Sequence, residues 1–223
     1  MKRNIVQKKF EAEILDLYTR LKKALPRIQE KYEADALETF VAQCGRDFPL
    51  GKNTGILFYG RSNNGWNSKN PLTMDELPEQ LRRPFFNLIR HISEYFYPEE
   101  WNSHIAWSNV CKVVPMTSGN PNNTLWYAQY SFMVDLIKKE IDVLSPKVVV
   151  LITGNTNGPK WDAPLFENNN LKENKREEKE WSEGCTATLY KKDGRLYIVT
   201  DRPECKPIRE HADCIIEMIE RNM

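Results

Sequence analysis

Twelve residues, Gly55 to Trp66, constrain this chain most. Ile56, Leu57, Phe58 and Tyr59 form a short apolar run between glycines, the pattern of a strand buried on both faces, as in a parallel sheet. The run stops at Gly60, and a polar loop of Arg61, Ser62, Asn63, Asn64 and Gly65 leads to Trp66. In open α/β sheets, ligands bind just past the carboxyl ends of such strands. This loop places a cation, a hydroxyl, two amides and an indole there, although loops of this composition also serve as plain connections.

The strands and helices that follow suggest the same architecture. Ile5 to Ile28 carry apolar residues at near-helical spacing, with Pro26 expected to kink or break the helix, and Ala34 to Cys44 read as a second helix. Thr73 and Glu76 form a capping-box pattern ahead of a helix that reaches about Tyr97. His104 to Val110 read as a strand and Leu125 to Leu144 as a helix. Val148 to Ile152 are the clearest buried strand in the chain. Cys185–Tyr190 and Leu196–Thr200 flank Asp193-Gly194, a strong hairpin signal, and Ile208 to Arg221 read as a final helix. This order predicts an α/β fold, a three-layer α/β/α sandwich with a mostly parallel central sheet of about four strands. The expected division is a helical extension over residues 1–50, packed on an α/β domain over 51–223. Residues 167–184, dense in Asn, Lys and Glu, read as an exposed charged insertion, partly helical and partly mobile.

Composition narrows the function classes. The 223 residues include 32 Lys+Arg and 31 Asp+Glu, so the formal charge of +1 does not announce a nucleic-acid binder but leaves room for a local basic cleft. No apolar run approaches the ~20 residues of a membrane span, and the amino terminus lacks the apolar core of a signal peptide. A cytoplasmic protein with no membrane partner is expected. The five cysteines make no Cys-x-x-Cys pair and read as buried free thiols. His91, His104 and His211 lack metal-ligand spacing, so no metal and no cofactor is expected. A Cys–His hydrolase built on Cys111 or Cys205 is a minor alternative.

Four predicted strands end in polar loops: Arg61–Gly65, Ser108–Lys112, Thr153–Asn157 and Asp201–Lys206. In a parallel sheet these ends share one edge, so their side chains converge. Trp66, Trp107, Trp126 and Trp161 are candidate stacking platforms, with core packing as the alternative for each. Asn109 is a candidate edge reader or a strand-end cap. Arg61, Lys112, Lys160, Arg202 and Lys206 are candidate phosphate contacts. Surface or ion-pair roles are the alternative for Arg61 and Arg202.

In this order of motifs the chain resembles the uracil-DNA glycosylase superfamily over about residues 55 to 217. Gly60-Arg61-Ser62-Asn63-Asn64-Gly65 stands where that superfamily has its water-activating motif. Trp107-Ser108-Asn109 stands where it has a base-recognising Asn, and Ser145 to Gly154 looks like its third core strand. Thr200-Asp201-Arg202-Pro203 stands at its His-Pro loop. The resemblance implies hydrolysis of an N-glycosidic bond in DNA. Ser62, Asn63, Asn64 and Arg202 would be catalytic. Gly60, Arg61, Trp66, Trp107, Asn109, Lys112, Gly154, Asn155, Pro203 and Lys206 would bind the substrate. Two positions depart from the pattern. Ser62 stands where members commonly place Asp, Glu or Asn, and a serine without a partner is a poor base. Arg202 stands where His usually precedes Pro, and a guanidinium there would stabilise a developing anion. A non-catalytic protein of the same fold, binding a nucleobase, nucleotide or nucleic acid, is the alternative, and a small-metabolite pocket is a third.

Overall fold

The computed structural model of the protein describes residues 4–30, 37–62, 74, 83–115, 120–154 and 160–223. It is a mixed α/β structure organised on a seven-stranded sheet. The chain opens with helix α1 (Ile5–Glu30), which buries Phe10, Ile14, Tyr18, Leu21 and Ile28 and continues through Pro26. Asn4 caps it, its Oδ1 accepting from Gln7 N at 2.7 Å.

Strands β1 (Leu37–Thr39) and β2 (Gln43–Cys44) follow, where apolar spacing predicted a helix. Pairing with distant segments overrides that local spacing. The Cys44 N–H donates to Gln7 Oε1 at 2.7 Å, and Gln7 Nε2 donates to Ala42 O at 3.0 Å. The buried Gln7 on α1 thus completes backbone groups that a helix would have satisfied internally. The first fifty residues are therefore not purely helical, because β2 joins the main sheet.

The sheet centre is β3 (Ile56–Gly60), β4 (Ile105–Asn109), β6 (Val148–Ile152) and β9 (Arg195–Thr200). The first three are buried along their whole length, as the apolar runs of β3 and β6 require between two covered faces. Helix α2 (Pro84–Phe96) lies between β3 and β4 in sequence, and α3 (Asn123–Leu144) precedes β6. Short strand β5 (Val113–Pro115) pairs with β1 apart from the main sheet. After β6 come a short helix α4 (Ala163–Asn169), strands β7 (Lys175–Ser182) and β8 (Cys185–Lys192), β9 and the final helix α5 (Ile208–Asn222).

The main sheet runs β2-β4-β3-β6-β9-β8-β7. Three of its six pairings are parallel, all at the centre (β4–β3, β3–β6, β6–β9), and three are antiparallel, at the two edges. A mostly parallel sheet of about four strands describes only this centre. The charged stretch at 167–184 supplies the correction at one edge. Residues 175–182 form β7 rather than a helical or mobile insertion, and their exposed charges mark an outermost strand. The β8–β9 turn is the Asp193-Gly194 hairpin, both residues at positive φ.

Alternation along the central strands separates two apolar clusters. Leu57, Tyr59, Val149 and Leu151 pack with α1 and α3, whereas Ile56, Phe58, Val148 and Val150 pack with α2 and α5. Among the described residues, no helix is long and apolar enough to cross a membrane.

Candidate functional site

The parallel register brings the strand ends together before any side chain is considered. Gly60 lies opposite Asn109, and the pairing runs on past the strands, with Val110 N donating to Gly60 O and Cys111 N to Arg61 O, each at 2.9 Å. Gly154 N reaches Thr200 O at 3.0 Å, joining the end of β6 to that of β9. Beyond β9, Asp201 N donates to Thr186 O at 3.1 Å, and Asp201 Oδ2 accepts from Thr186 N at 2.8 Å. His211 braces this corner from α5, its Nε2 2.7 Å from Thr200 Oγ1 and its ring stacked on Trp181 at 3.7 Å. Burial, with a smaller push from Lys206, lowers the imidazole to about 3, so it is neutral at pH 7.

Over this edge opens a cavity of about 390 Å³. The end of β3 contributes Gly60, Arg61 and Ser62. Strand β4 contributes Trp107 and Asn109, β6 contributes Ile152, and the segment after β9 contributes Arg202 and Glu204. The start of α2 adds Arg83, Pro84, Phe85 and Phe86, and Asn120 completes the described lining.

The lining has three chemical parts. An aromatic wall is built from Phe85, Phe86 and Trp107, with Phe86 edge-on to the indole at 5.1 Å and Phe40 behind it at 4.9 Å. Asn109, buried, supplies an amide at the floor; a Cβ on Gly60 would stand 2.7 Å from its Oδ1, so this position admits no side chain. The third part is cationic. Arg61 Nε donates to Thr153 O, and its guanidinium carbon sits 5.1 Å from the centre of the Trp161 ring. Burial first, and the Arg202 charge second, bring Arg61 down to about 10, which leaves it protonated at neutral pH. Gly154, at φ +71°, lies against both arginines: a Cβ there would be 3.3 Å from Arg61 Nη2 and from Arg202 N. Arg202 pairs with Glu204. Ser62 Oγ donates to Asn120 Oδ1 at 2.9 Å.

The residues singled out from the sequence thus divide by where the fold places them. Gly60, Arg61, Ser62, Trp107, Asn109 and Arg202 line one cavity, and Gly154 flanks it. Asn63, Asn64, Trp66 and Asn155 lie outside the described residues. Pro203 is buried beside Arg202 without lining the cavity, and Lys206 lies 5.5 Å from the Trp181 ring. Lys112 is a correction. It is wholly buried on the α1/α3 side, its Nζ 2.8 and 2.7 Å from the two Glu140 carboxylate oxygens and 2.8 Å from Ser108 Oγ. Tyr59 and Ser108 also donate to Glu140, at 2.8 and 2.9 Å, so the ammonium closes an internal network and cannot reach a phosphate. Burial pushes Lys112 down, and Glu140 opposes it. Trp126 and Trp161 pack edge-on at 4.8 Å in the core rather than at the cavity. Cys111 is buried, which raises its thiol and removes it as a nucleophile.

Arg83, Phe85, Phe86, Asn120 and Glu204 line the cavity without having been singled out. The Thr73–Glu76 capping pattern lies outside the described residues; α2 begins at Pro84, whereas one helix running on to about Tyr97 would have Arg83-Pro84 in its interior, although Pro favours a first helical position. Glu204 lies within the loop already marked as a strand end. Among the described residues no cluster of three or more His, Cys, Asp or Glu is placed to hold a metal ion. No family model matches this chain, and no curated protein matches it.

Proposed function

We propose that this chain is a uracil-DNA glycosylase-like protein whose cavity receives a single nucleobase turned out of a DNA strand. One observation carries the reading: the Asn109 amide, the aromatic wall and the Arg202 guanidinium face one cavity at the carboxyl edge of the central strands. A base needs an apolar face to lie against and an amide to read its polar edge. Base–aromatic stacking contributes ~1–3 kcal/mol. The volume falls within the range of about 300–1,000 Å³ usual for small-ligand pockets. The four parallel central strands, with helices on both faces, support the three-layer α/β/α arrangement of that superfamily.

In this reading, water adds to the sugar C1′, the C1′–N bond breaks with its electron pair leaving on the base, and the proton shed by the water ends on the departed base. Arg202 stabilises the charge that develops there. The resemblance assigns water placement to the loop from Ser62 to Asn64. Oligonucleotides carrying uracil, hypoxanthine or xanthine, incubated with the protein and treated with alkali, test this directly. Strand scission at the modified base is expected, and the absence of scission at all three removes the hydrolytic reading.

A second reading, binding without hydrolysis, draws on a different observation. Ser62 Oγ is bonded to Asn120, and Glu204, the carboxylate among the described lining residues, is paired with Arg202. Neither is poised as a general base. Retention of oligonucleotide with no base released, abolished by Asn109→Ala, would establish this alternative.

A further inference from the structure

We propose that Arg61, Arg202 and the amino-terminal turn of α2 form a phosphate subsite within the cavity, and that Glu204 is its internal counter-ion, displaced when a phosphomonoester binds. The extension to a nucleotide rests on the nucleobase reading above, whereas the phosphate subsite does not.

Charge comes first. The described lining contains three guanidiniums, on Arg61, Arg83 and Arg202, and one carboxylate, on Glu204. The first turn of α2 lines the same cavity. A helix start directs backbone N–H groups and the positive end of its dipole outward, which favours an anion. Asp201, beside Arg61 though outside the lining, offsets part of this charge, and the remaining excess of cations favours an anion.

Unused hydrogen-bonding capacity comes second. Arg61 is anchored through Nε to Thr153 O and by its approach to Trp161. Its Nη2 is nevertheless buried with no hydrogen-bond partner among the described residues. Glu204 is also half-used: Oε1 pairs with Arg202, while Oε2 is buried without a partner. A buried donor and a buried acceptor, each unmet, are unfavourable. A phosphate monoester has three terminal oxygens. It accepts from Arg202 in place of Glu204 and from Arg61 Nη2 as well, in the fork geometry that guanidinium and phosphate share. Displaced Glu204, carried on the loop after β9, returns to water, where its carboxylate is fully solvated.

Binding at fixed ionic strength, followed by titration calorimetry, tests the proposal. Inorganic phosphate is the first probe and is expected to bind the wild type. Glu204→Gln should bind it at least threefold tighter and Arg202→Gln at least tenfold weaker, with urea unfolding of each variant as the control for folding and Lys8→Gln, exposed on α1 and outside the cavity lining, close to wild type. Equal phosphate affinity in all four proteins, or weaker binding in Glu204→Gln, overturns the subsite. The second probe set is the four common ribonucleoside 5′-monophosphates against their parent nucleosides, with an at least tenfold preference for one or more monophosphates expected. Nucleosides binding as well as monophosphates would overturn the subsite but keep the nucleobase pocket. Phosphate binding that no nucleoside improves would keep the subsite and overturn the nucleobase reading. A 5′-phosphorylated pentanucleotide binding better than its unphosphorylated form assigns the phosphate to a strand end. Preference for the mononucleotide over both assigns it to a free metabolite.

Discussion

Gly60 and Asn109 are fitted to each other across the β3–β4 pairing: they are register partners, and a Cβ on Gly60 would come within 2.7 Å of Asn109 Oδ1. The second obstruction, Phe85 Cζ at 3.1 Å, belongs to the aromatic wall. Gly60→Ala should therefore move the amide and the ring together. Nucleobase affinity is expected to fall at least tenfold, with a stability loss of about 1–3 kcal/mol from overpacking. Asn109→Ala should lose the affinity with less effect on the aromatic wall. Comparison of both variants by ligand titration and urea unfolding checks this, and wild-type affinity in Gly60→Ala would sink it.

The Lys112–Glu140 pair should reveal itself through an asymmetry between single and double variants. Removing one charge leaves the other buried and uncompensated, which costs about 3–5 kcal/mol. Lys112→Met and Glu140→Met are each expected in that range. The double variant should be more stable than either single one, although Tyr59 and Ser108 lose their acceptor. A urea-unfolding double-mutant cycle in which the two losses simply add would contradict this.

Stability should depend on pH through His211. Its folded value of about 3 lies below the unfolded value of about 6.5, so the unfolded chain binds the proton first. The stability is fully present above about pH 6.5 and falls as pH drops toward 3, by about 1.4 kcal/mol per pH unit. Between pH 7.5 and 5.0 a loss of about 2 kcal/mol is expected from this group. His211→Gln should flatten the curve over that interval. An unchanged slope in the variant would refute the assignment.

If the ligand is a strand of DNA, its affinity should weaken linearly in log–log form with added salt. Arg202→Gln should lower the magnitude of that slope by about one if its guanidinium meets a backbone phosphate, and leave the slope unchanged if it meets only the base. Lys112→Gln, destabilising but remote from the cavity, should leave the slope unchanged in whatever fraction remains folded. Filter binding at several potassium chloride concentrations reads both.

Some of this architecture was legible because local pattern and tertiary context agree. Val148–Ile152 are apolar throughout and form β6 with those bounds. Asp193-Gly194 carries the positive φ angles that its hairpin demands. The convergence of Gly60, Arg61, Asn109 and Arg202 followed from strand direction alone. Other features depend on partners far away in sequence. Residues 37–44 are strands because Gln7, β4 and β5 complete their backbone groups, which no local spacing reports. Lys112 looked like a rim cation because it follows a strand end; its partner Glu140 lies a helix later. Alternation gives a partial cue, since Trp107 and Asn109 face the cavity and Ser108 between them faces the Glu140 network.

That alternation along β4 has an evolutionary consequence. Ser108 answers to the ionic cluster beneath, and Trp107 and Asn109 on either side of it answer to the hollow above. Both of the upper residues are themselves buried, so an exchange there alters ligand and packing at once.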